Sequence, residues 1–112
     1  MVNKILPSHR DRKRYIVFDI AENECTADEA KSAILNACQR YIGEFGCQRA
    51  NIQFINVYTQ NRGIIRITHT ELNDIKACLP LITSINQKKV TVRVIGVSGI
   101  LKKAKTRFLE KR

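Results

Sequence analysis

The sequence predicts a ferredoxin-like α/β sandwich: a four-stranded antiparallel sheet with two helices on one face, followed by an additional C-terminal helix. Strand-like and helix-like segments alternate in the order β-α-β-β-α-β-α, and a short turn joins two of the strands into a hairpin. The 112 residues, 44% of them hydrophobic, suit one ordinary domain. We therefore expect residues 15–112 to form a single domain, preceded by an arm over residues 1–14.

The first strand and the first helix carry the clearest local patterns. Tyr15–Ala21 is almost entirely apolar, which predicts a central strand. Asp19 interrupts this run, and we expect it to lie on a solvent face or to pair with a neighbouring Arg rather than to act as a functional carboxylate. Thr26 and Glu29 form a capping box, after which apolar residues recur at helical spacing as far as Ile42. Gly43 and Gly46 bracket the end of this helix, and we expect Gly46 to be the stop.

A hairpin is predicted in the middle of the chain. Ala50–Thr59 and Ile64–His69 have strand composition, and Gln60-Asn61-Arg62-Gly63 lies between them. Turns of this kind need a residue with positive φ, so we expect Gly63 to supply it.

The second helix is expected to begin after Thr70 and to keep its apolar spacing through Ile85. Pro80 lies inside this run, where it removes a backbone hydrogen bond and predicts a kink or a restart.

The last quarter of the chain is predicted to form a strand, a small-residue turn and a basic helix. Lys88–Ile95 is the strand, Gly96-Val97-Ser98-Gly99 the turn, and the helix begins near Ile100. Glycines and a helix N-terminus suggest a phosphate site. The alternative, a strand that simply packs on an amphipathic helix, is equally compatible. The apolar stripe of this helix is Ile100, Leu101, Ala104 and Phe108.

Positive charge is concentrated at both ends of the chain. Residues 1–14 carry a net charge of +4 and residues 88–112 carry +8, while residues 15–87 carry −2, within a total of +10. A near-neutral body with two basic ends indicates a polyanionic partner, most often nucleic acid. Charge that serves only solubility is the alternative. A membrane surface is disfavoured because the basic helix has no Trp.

The cysteines and the absence of long apolar runs suggest a cytoplasmic protein. Cys25, Cys38, Cys47 and Cys78 form no C-x-x-C pair, and we expect no zinc site. Cys38 and Cys78 are interpreted as small core residues. Four free thiols fit a reducing cytoplasm. No apolar run reaches the roughly 18 residues of a membrane span, and the N-terminus has no apolar signal segment.

The residues favour recognition of a nucleic-acid backbone over catalysis. The RNA-recognition motif (RRM), a ferredoxin-like domain, stacks bases on aromatic side chains of its sheet, but the predicted third strand has none. The carboxylates that are close in sequence lie partly in a helix first turn, where acids are expected for dipole reasons. We expect no catalytic residue and no metal site on this chain.

Four stretches resemble the family called ribonuclease P protein component 2, the small protein subunit of archaeal and eukaryotic ribonuclease P. They are L-P-S-H-R-D-R-K-R-Y-I-V-F-D-I at Leu6–Ile20, G-I-I-R at Gly63–Arg66, A-C-L-P-L-I-T-S-I-N at Ala77–Asn86 and K-K-V-T-V-R-V-I-G-V-S-G-I-L-K-K at Lys88–Lys103. The resemblance spans nearly the whole chain, and the short length is similar to archaeal members. Pro80 and Ile100 depart from the family pattern.

The resemblance implies an RRM-like fold and a role in the ribonucleoprotein that removes 5′ leaders from precursor tRNA. The RNA subunit would carry the chemistry with magnesium, and ribonuclease P protein component 3 would be the direct protein partner in a two-plus-two assembly. The expected RNA contacts are Arg10, Arg12, Lys13, Arg14, Arg66, Arg93, Ser98, Lys102, Lys103, Lys105 and Arg107.

Two other functions fit the same fold. A ribosomal or other structural RNA-binding protein would share the charge pattern. An acylphosphatase-type enzyme would need an anion-binding loop after the first strand, where A-E-N-E-C at Ala21–Cys25 is acidic instead.

Overall fold

The computed structural model describes residues 12–106, which form six strands and four helices. The strands are β1 Lys13–Ala21, β2 Gln53–Phe54, β3 Arg62–Thr68, β4 Ser84–Ile85, β5 Lys88–Lys89 and β6 Thr91–Ser98. The helices are α1 Ala27–Tyr41, α2 Gly43–Ala50, α3 Leu72–Cys78 and α4 Leu101–Ala104, with 3₁₀ turns at His69–Glu71 and Leu79–Leu81.

Four strands form one antiparallel sheet in the order β2-β3-β1-β6, and β4 and β5 pair separately as a small hairpin. This order confirms the predicted ferredoxin-like fold, with the apolar β1 at an interior position. Residues that pair directly across strands share a face of the sheet. The sheet therefore has an α1/α3 face, which carries Ile16 and Phe18, and an opposite face, which carries Val17 and Asp19.

The main core lies between the α1/α3 face and the helices. Ile16, Phe18 and Ile65 of the sheet are fully buried there with Cys38 of α1 and Ile75 of α3. The rings of Phe18, Phe54 and Tyr58 lie with their centroids 6.0 to 6.4 Å apart. These three aromatic side chains are therefore part of the core packing and are not available to stack bases.

The capping box of α1 is present in full, but the helix ends earlier than predicted. Glu29 N donates to Thr26 Oγ1 at 3.1 Å, and Thr26 N donates to Glu29 Oε1 at 2.9 Å. The helix stops at Tyr41, and Gly43, with φ of 90°, permits the change of direction into α2. Gly46 lies buried within α2. The prediction that Gly46 stops α1 was wrong, because the flexible backbone position is three residues earlier.

The turn before β3 uses residues other than the predicted glycine. Gln60 and Asn61 have positive φ values of 51° and 63°, whereas Gly63 belongs to β3. The Asn61 side chain supports the turn, because its amide donates to Ile20 O at 3.0 Å and its carbonyl accepts from Cys25 N at 3.0 Å. Regular pairing in the preceding strand is limited to Gln53–Phe54, so the predicted strand over 50–59 was too long.

Residues 70–98 contain two further differences from the predictions. The second helix ends at Cys78, Pro80 lies in a 3₁₀ turn, and Ile85 belongs to β4, so the helix does not continue to Ile85. The last strand extends to Ser98, with an irregular register opposite Val17 and Phe18. The predicted turn over 96–99 is therefore mostly strand, since the shift leaves only Ile95 without a partner on β1 and pairing resumes at Gly96.

The cysteines are not all free thiols. Cys38 and Cys47 form a disulfide between α1 and α2, with their Cα atoms 6.0 Å apart. Cys25 and Cys78 are free and buried, and burial raises the pKa of both thiols. The expectation of four free thiols was wrong, so cysteine usage no longer supports a reducing compartment.

Candidate nucleic-acid interface

The sheet face opposite α1 and α3 is partly covered by α4, and we call it the α4 face. Val17, Ile64 and Ala104 are fully buried together, and Tyr15 and Leu101 pack around them. This packing confirms that Leu101 and Ala104 belong to the apolar stripe of the last helix. Ile100, which was assigned to the same stripe, is 53% exposed. Phe108 lies outside the described residues.

Basic side chains lie at both ends of the α4 face. The β1–β3 register places Lys13 and Arg66 towards one end, and Arg62 with Arg93 on either side of Asp19 towards the other. Lys13 and Asp19 are six residues apart in one strand, so the two groups are separated by about 20 Å. The buried Val17 and Ile64 lie between them. The face therefore offers positive charge around an apolar centre that α4 already occupies.

Helix α4 adds further positive charge beside this face. Lys102 and Lys103 are exposed, and Lys105 is half-buried. Among residues 12–106, none forms an ion pair with Arg66 or with these three lysines. Because Ala104 anchors the helix on the sheet, the exposed lysines extend from a fixed backbone.

Asp19 pairs with two arginines on the α4 face, which confirms the pairing alternative rather than the solvent-face position. Arg93 Nε donates to Asp19 Oδ1 at 2.9 Å, and Arg93 Nη2 donates to Asp19 Oδ2 at 2.7 Å. Arg62 Nη2 lies 3.8 Å from Asp19 Oδ2. The hydrogen bonds to Asp19 and its negative charge raise the pKa of Arg93. Asp19, Arg62 and Arg93 together carry a net charge of +1.

The start of β1 brings the arm-proximal cations to the edge of the same region. His69 N donates to Arg12 O at 2.7 Å, so the backbone of Arg12 is held beside the end of β3. Lys13 Nζ donates to Thr68 Oγ1 at 3.4 Å, and the Arg14 guanidinium donates to Lys13 O at 2.9 Å. Arg10 and Arg107, which were also expected to contact RNA, lie outside the described residues.

Ser98 lies just before the last helix, where a phosphate site was suggested. The Ser98 hydroxyl donates to Ile100 O at 3.0 Å and accepts from Ile100 N at 3.1 Å, so its hydrogen bonds are made locally. The described helical segment is four residues long. Ser98 therefore shapes the turn into α4, while the neighbouring lysines carry the charge.

Arg62 also belongs to this face, although it was not among the expected RNA contacts. It was assigned to a turn, but it is the first residue of β3 and its side chain is only 17% exposed. The signal was the alternation of Arg62, Ile64 and Arg66, since every second residue of a strand faces the same side.

The acidic side chains of the described residues do not gather into a metal-binding group. Within residues 12–106, no three His, Cys, Asp or Glu side chains are placed to hold a metal ion. Asp19 is engaged by arginines, and Glu29 is engaged by the α1 cap and by Lys88. Over the same residues, no helix is both long and apolar enough to span a membrane.

Comparisons with known proteins identify the family of this chain. A protein-family model described as the Rpp14/Pop5 family matches residues 14–109. A protein named ribonuclease P protein component 2 from Pyrococcus furiosus is 43% identical over 105 residues, which is 92% of this chain and 88% of that relative. A protein of the same name from Methanosarcina mazei is 30% identical over 110 residues, covering 97% of this chain and 94% of that one.

A solved structure gives independent support for the fold. One chain of the yeast ribonuclease MRP structure superposes with a TM-score of 0.62, covering 80% of this chain and 76% of that chain at 19% identity. The likeness shows the shared sandwich. With the family model and the curated relatives covering nearly its full length, this chain belongs to the Rpp14/Pop5 family of ribonuclease P protein components.

Proposed function

We propose that this chain is a protein subunit of ribonuclease P that binds and stabilises the catalytic RNA which removes 5′ leaders from precursor tRNA. The observation that carries the proposal is the gathering of Lys13, Arg66, Arg93, Lys102 and Lys103 around one anchored surface, in a member of this family. Phosphate oxygens are the natural ligands of such a surface.

The proposed mechanism is electrostatic. RNA helices packed side by side repel one another, and cations held on a rigid scaffold reduce that repulsion. The active RNA fold would then form at a lower magnesium concentration. If about six of these groups contact phosphates, the logarithm of the binding constant falls with the logarithm of salt concentration at a slope of about −4 to −5.

The RNA subunit would carry out the phosphodiester cleavage, and this chain would contribute no catalytic residue. The magnesium ions of the reaction would be bound by RNA phosphates. Within residues 12–106, the buried carboxylates of Asp19 and Glu71 are each paired with an arginine, which supports a non-catalytic role for this chain. The protein is therefore part of an enzyme through its assembly with RNA.

We further propose ribonuclease P protein component 3 as the direct protein partner, in a two-plus-two assembly. The side of the molecule away from the α4 face is the candidate docking side. Four large hydrophobic side chains are exposed on α1, α2 and the turn after α3: Leu35, Tyr41, Phe45 and Leu81. Phe45, at 77% exposed, is the most accessible of them. RNA and protein would then bind opposite sides.

We propose the cytoplasm as the compartment, because in a cell without a nucleus precursor tRNA is made and trimmed there. The resemblance to archaeal relatives supports this assignment.

Reconstitution tests the proposed function. The full chain is combined with ribonuclease P RNA from Pyrococcus furiosus and the other protein subunits of that species, and cleavage of precursor tRNA is measured against magnesium. We expect this chain to lower the magnesium needed for cleavage, and alanine at Lys102 and Lys103 to reverse part of that effect. No change in the magnesium requirement on adding the chain would contradict the proposal.

The alternative, a ribosomal or other structural RNA-binding protein, shares the basic α4 face. Isolation of the RNA bound to the chain in cells separates the two functions. Recovery of ribosomal RNA in place of ribonuclease P RNA would favour the alternative.

A further inference from the structure

Asp19 is placed where a negative charge is unexpected on a surface that binds a polyanion. It lies on β1, an interior strand of the sheet, on the α4 face, and is only 8% exposed. The strand register sets it directly between Arg62 of β3 and Arg93 of β6. Every other side chain from Ile16 to Ile20 is apolar and buried.

The pairing with Arg93 fixes an arginine that remains accessible. Two parallel hydrogen bonds, of 2.9 and 2.7 Å, join the carboxylate to one edge of the Arg93 guanidinium. A planar guanidinium held along one edge has its orientation defined, and its remaining N–H groups point away from the carboxylate. The Arg93 side chain is 63% exposed, so those N–H groups face solvent.

Arg62 and Arg93 differ in how they meet the carboxylate. Arg62 Nη2 lies 3.8 Å from Asp19 Oδ2, and the Arg62 side chain is only 17% exposed. It offsets the charge of Asp19 from within the sheet. Arg93 therefore presents its positive charge outwards with the carboxylate already neutralised.

The buried Asp19 carboxylate needs a positive partner, and the nearly buried Arg62 already provides one. An ion pair with an exposed arginine contributes little to folding because water screens it and the long side chain must be ordered. The same ordering favours binding, since a side chain already fixed in the free protein loses less conformational freedom when a ligand arrives.

We propose that Asp19 is a positioning residue that holds Arg93 in the orientation in which it receives an RNA phosphate on the α4 face. This inference rests on the function proposed above. It assigns a role in RNA binding to an acidic residue that does not itself contact RNA.

The sign of one substitution separates positioning from bulk electrostatics. Asp19→Asn raises the net charge of the chain from +10 by one unit. If only net charge mattered, RNA binding would tighten. If Asp19 positions Arg93, binding should weaken by about threefold to tenfold, because a freed arginine must be ordered on binding.

The experiment measures binding of full-length variants to ribonuclease P RNA from Pyrococcus furiosus over a salt series. Arg93→Ala should weaken binding and reduce the magnitude of the salt slope by about 0.9.

Adding Asp19→Asn to Arg93→Ala should cause no further weakening. Arg93→Lys keeps the charge but loses the paired hydrogen bonds, so it should weaken binding without changing the slope. Asp28→Asn, which neutralises an exposed acid in the first turn of α1, is the matched control and should not weaken binding.

Circular dichroism and thermal unfolding establish whether each variant is folded. If Asp19→Asn does not fold, RNA binding by Arg93→Lys still tests the positioning role. Unchanged or tighter binding of folded Asp19→Asn, or equal effects of Asp19→Asn with and without Arg93, would overturn the positioning role. Salt-independent binding by the unmodified chain would instead overturn the proposed function itself.

Discussion

Ala104 of α4 packs on Val17 at the centre of β1, and neither side chain has any exposed surface. This packing attaches the basic helix to the sheet. It also fills the region where an RRM would stack bases, so the surface that remains is a set of cations around a closed apolar centre.

The first prediction concerns this attachment. Ala104→Asp would place an unpaired carboxylate against Val17 and Ile64, which is strongly unfavourable in an apolar site. We expect α4 to separate from the sheet while the core on the α1/α3 face stays folded, and RNA affinity to fall. Amide hydrogen exchange of residues 101–106 measures the separation.

Thr106→Asp is the matched control for that variant. It introduces the same charge two residues further along, at an exposed position. We expect it to reduce RNA affinity less and to leave exchange unchanged. Equal exchange rates in both variants would mean that Ala104 does not anchor the helix.

The second prediction concerns Gly63 of β3, where the rings of Phe18 and Tyr58 leave no room for a side chain. A Cβ at this position would lie 2.9 Å from Phe18 Cζ and 2.9 Å from Tyr58 Cδ1. Gly63→Ala should therefore lower the free energy of unfolding by about 1–3 kcal/mol through overpacking. Gly99→Ala is the control, because its nearest neighbour, Arg14 Nη1, would be 3.5 Å away. Urea unfolding that gives the same value for both variants would contradict this interpretation of the core.

The third prediction concerns the disulfide between Cys38 and Cys47. Closing a loop of nine residues restricts the unfolded chain and stabilises the fold by about 2–3 kcal/mol on the chain-entropy model. Dithiothreitol should therefore lower the melting temperature of the native chain. The double variant Cys38→Ala, Cys47→Ala should melt at one temperature with or without the reductant. A native chain that is equally insensitive would show that the pair contributes nothing.

The fourth prediction concerns alkaline pH. Burial, the largest cause, raises the pKa of Tyr58 from its ordinary 10.0 to about 12, and its hydroxyl donates to Cys25 O at 2.9 Å. The folded state thus holds this proton more tightly than the unfolded state. The associated stability is fully present below pH 10 and is lost as the pH rises towards 12.

Comparison with Tyr58→Phe isolates this effect from the titration of lysines. Between these pH values the free energy of unfolding of the native chain should fall by on the order of 1 kcal/mol more than that of the variant. The effect is no larger because water screens the partly exposed ring. Chemical unfolding at several pH values measures the difference. Parallel curves for the two proteins would rule out a raised pKa at Tyr58.

The sequence predicted the fold well where a local pattern had one structural solution. The apolar run of β1 and the capping box of α1 are of this kind. Leu79, Ile82 and Ile85 are buried residues spaced by three, and this spacing fits two secondary structures. A helix would bury them, and so does the observed 3₁₀ turn that leads into a strand. Periodicity alone cannot distinguish these solutions.

The candidate site was predicted by charge but not by geometry. Period-two alternation was enough to place Arg66 and Arg93 on strands. Which face received α4, and whether Asp19 met Arg93, depended on the pairing of strands distant in sequence. The Cys38–Cys47 pairing was missed for the same kind of reason, because it depends on the angle between α1 and α2.

The salt dependence of RNA binding tests the central claim most directly. The dissociation constant of the full chain and ribonuclease P RNA is measured between roughly 50 and 200 mM monovalent salt, for the native chain and for a variant with alanine at Arg66, Lys102 and Lys103. We predict a slope of about −4 to −5 for the native chain, and a slope smaller in magnitude by about 0.9 for each phosphate that the variant no longer neutralises. A native slope near zero would contradict recognition of the RNA backbone by this surface.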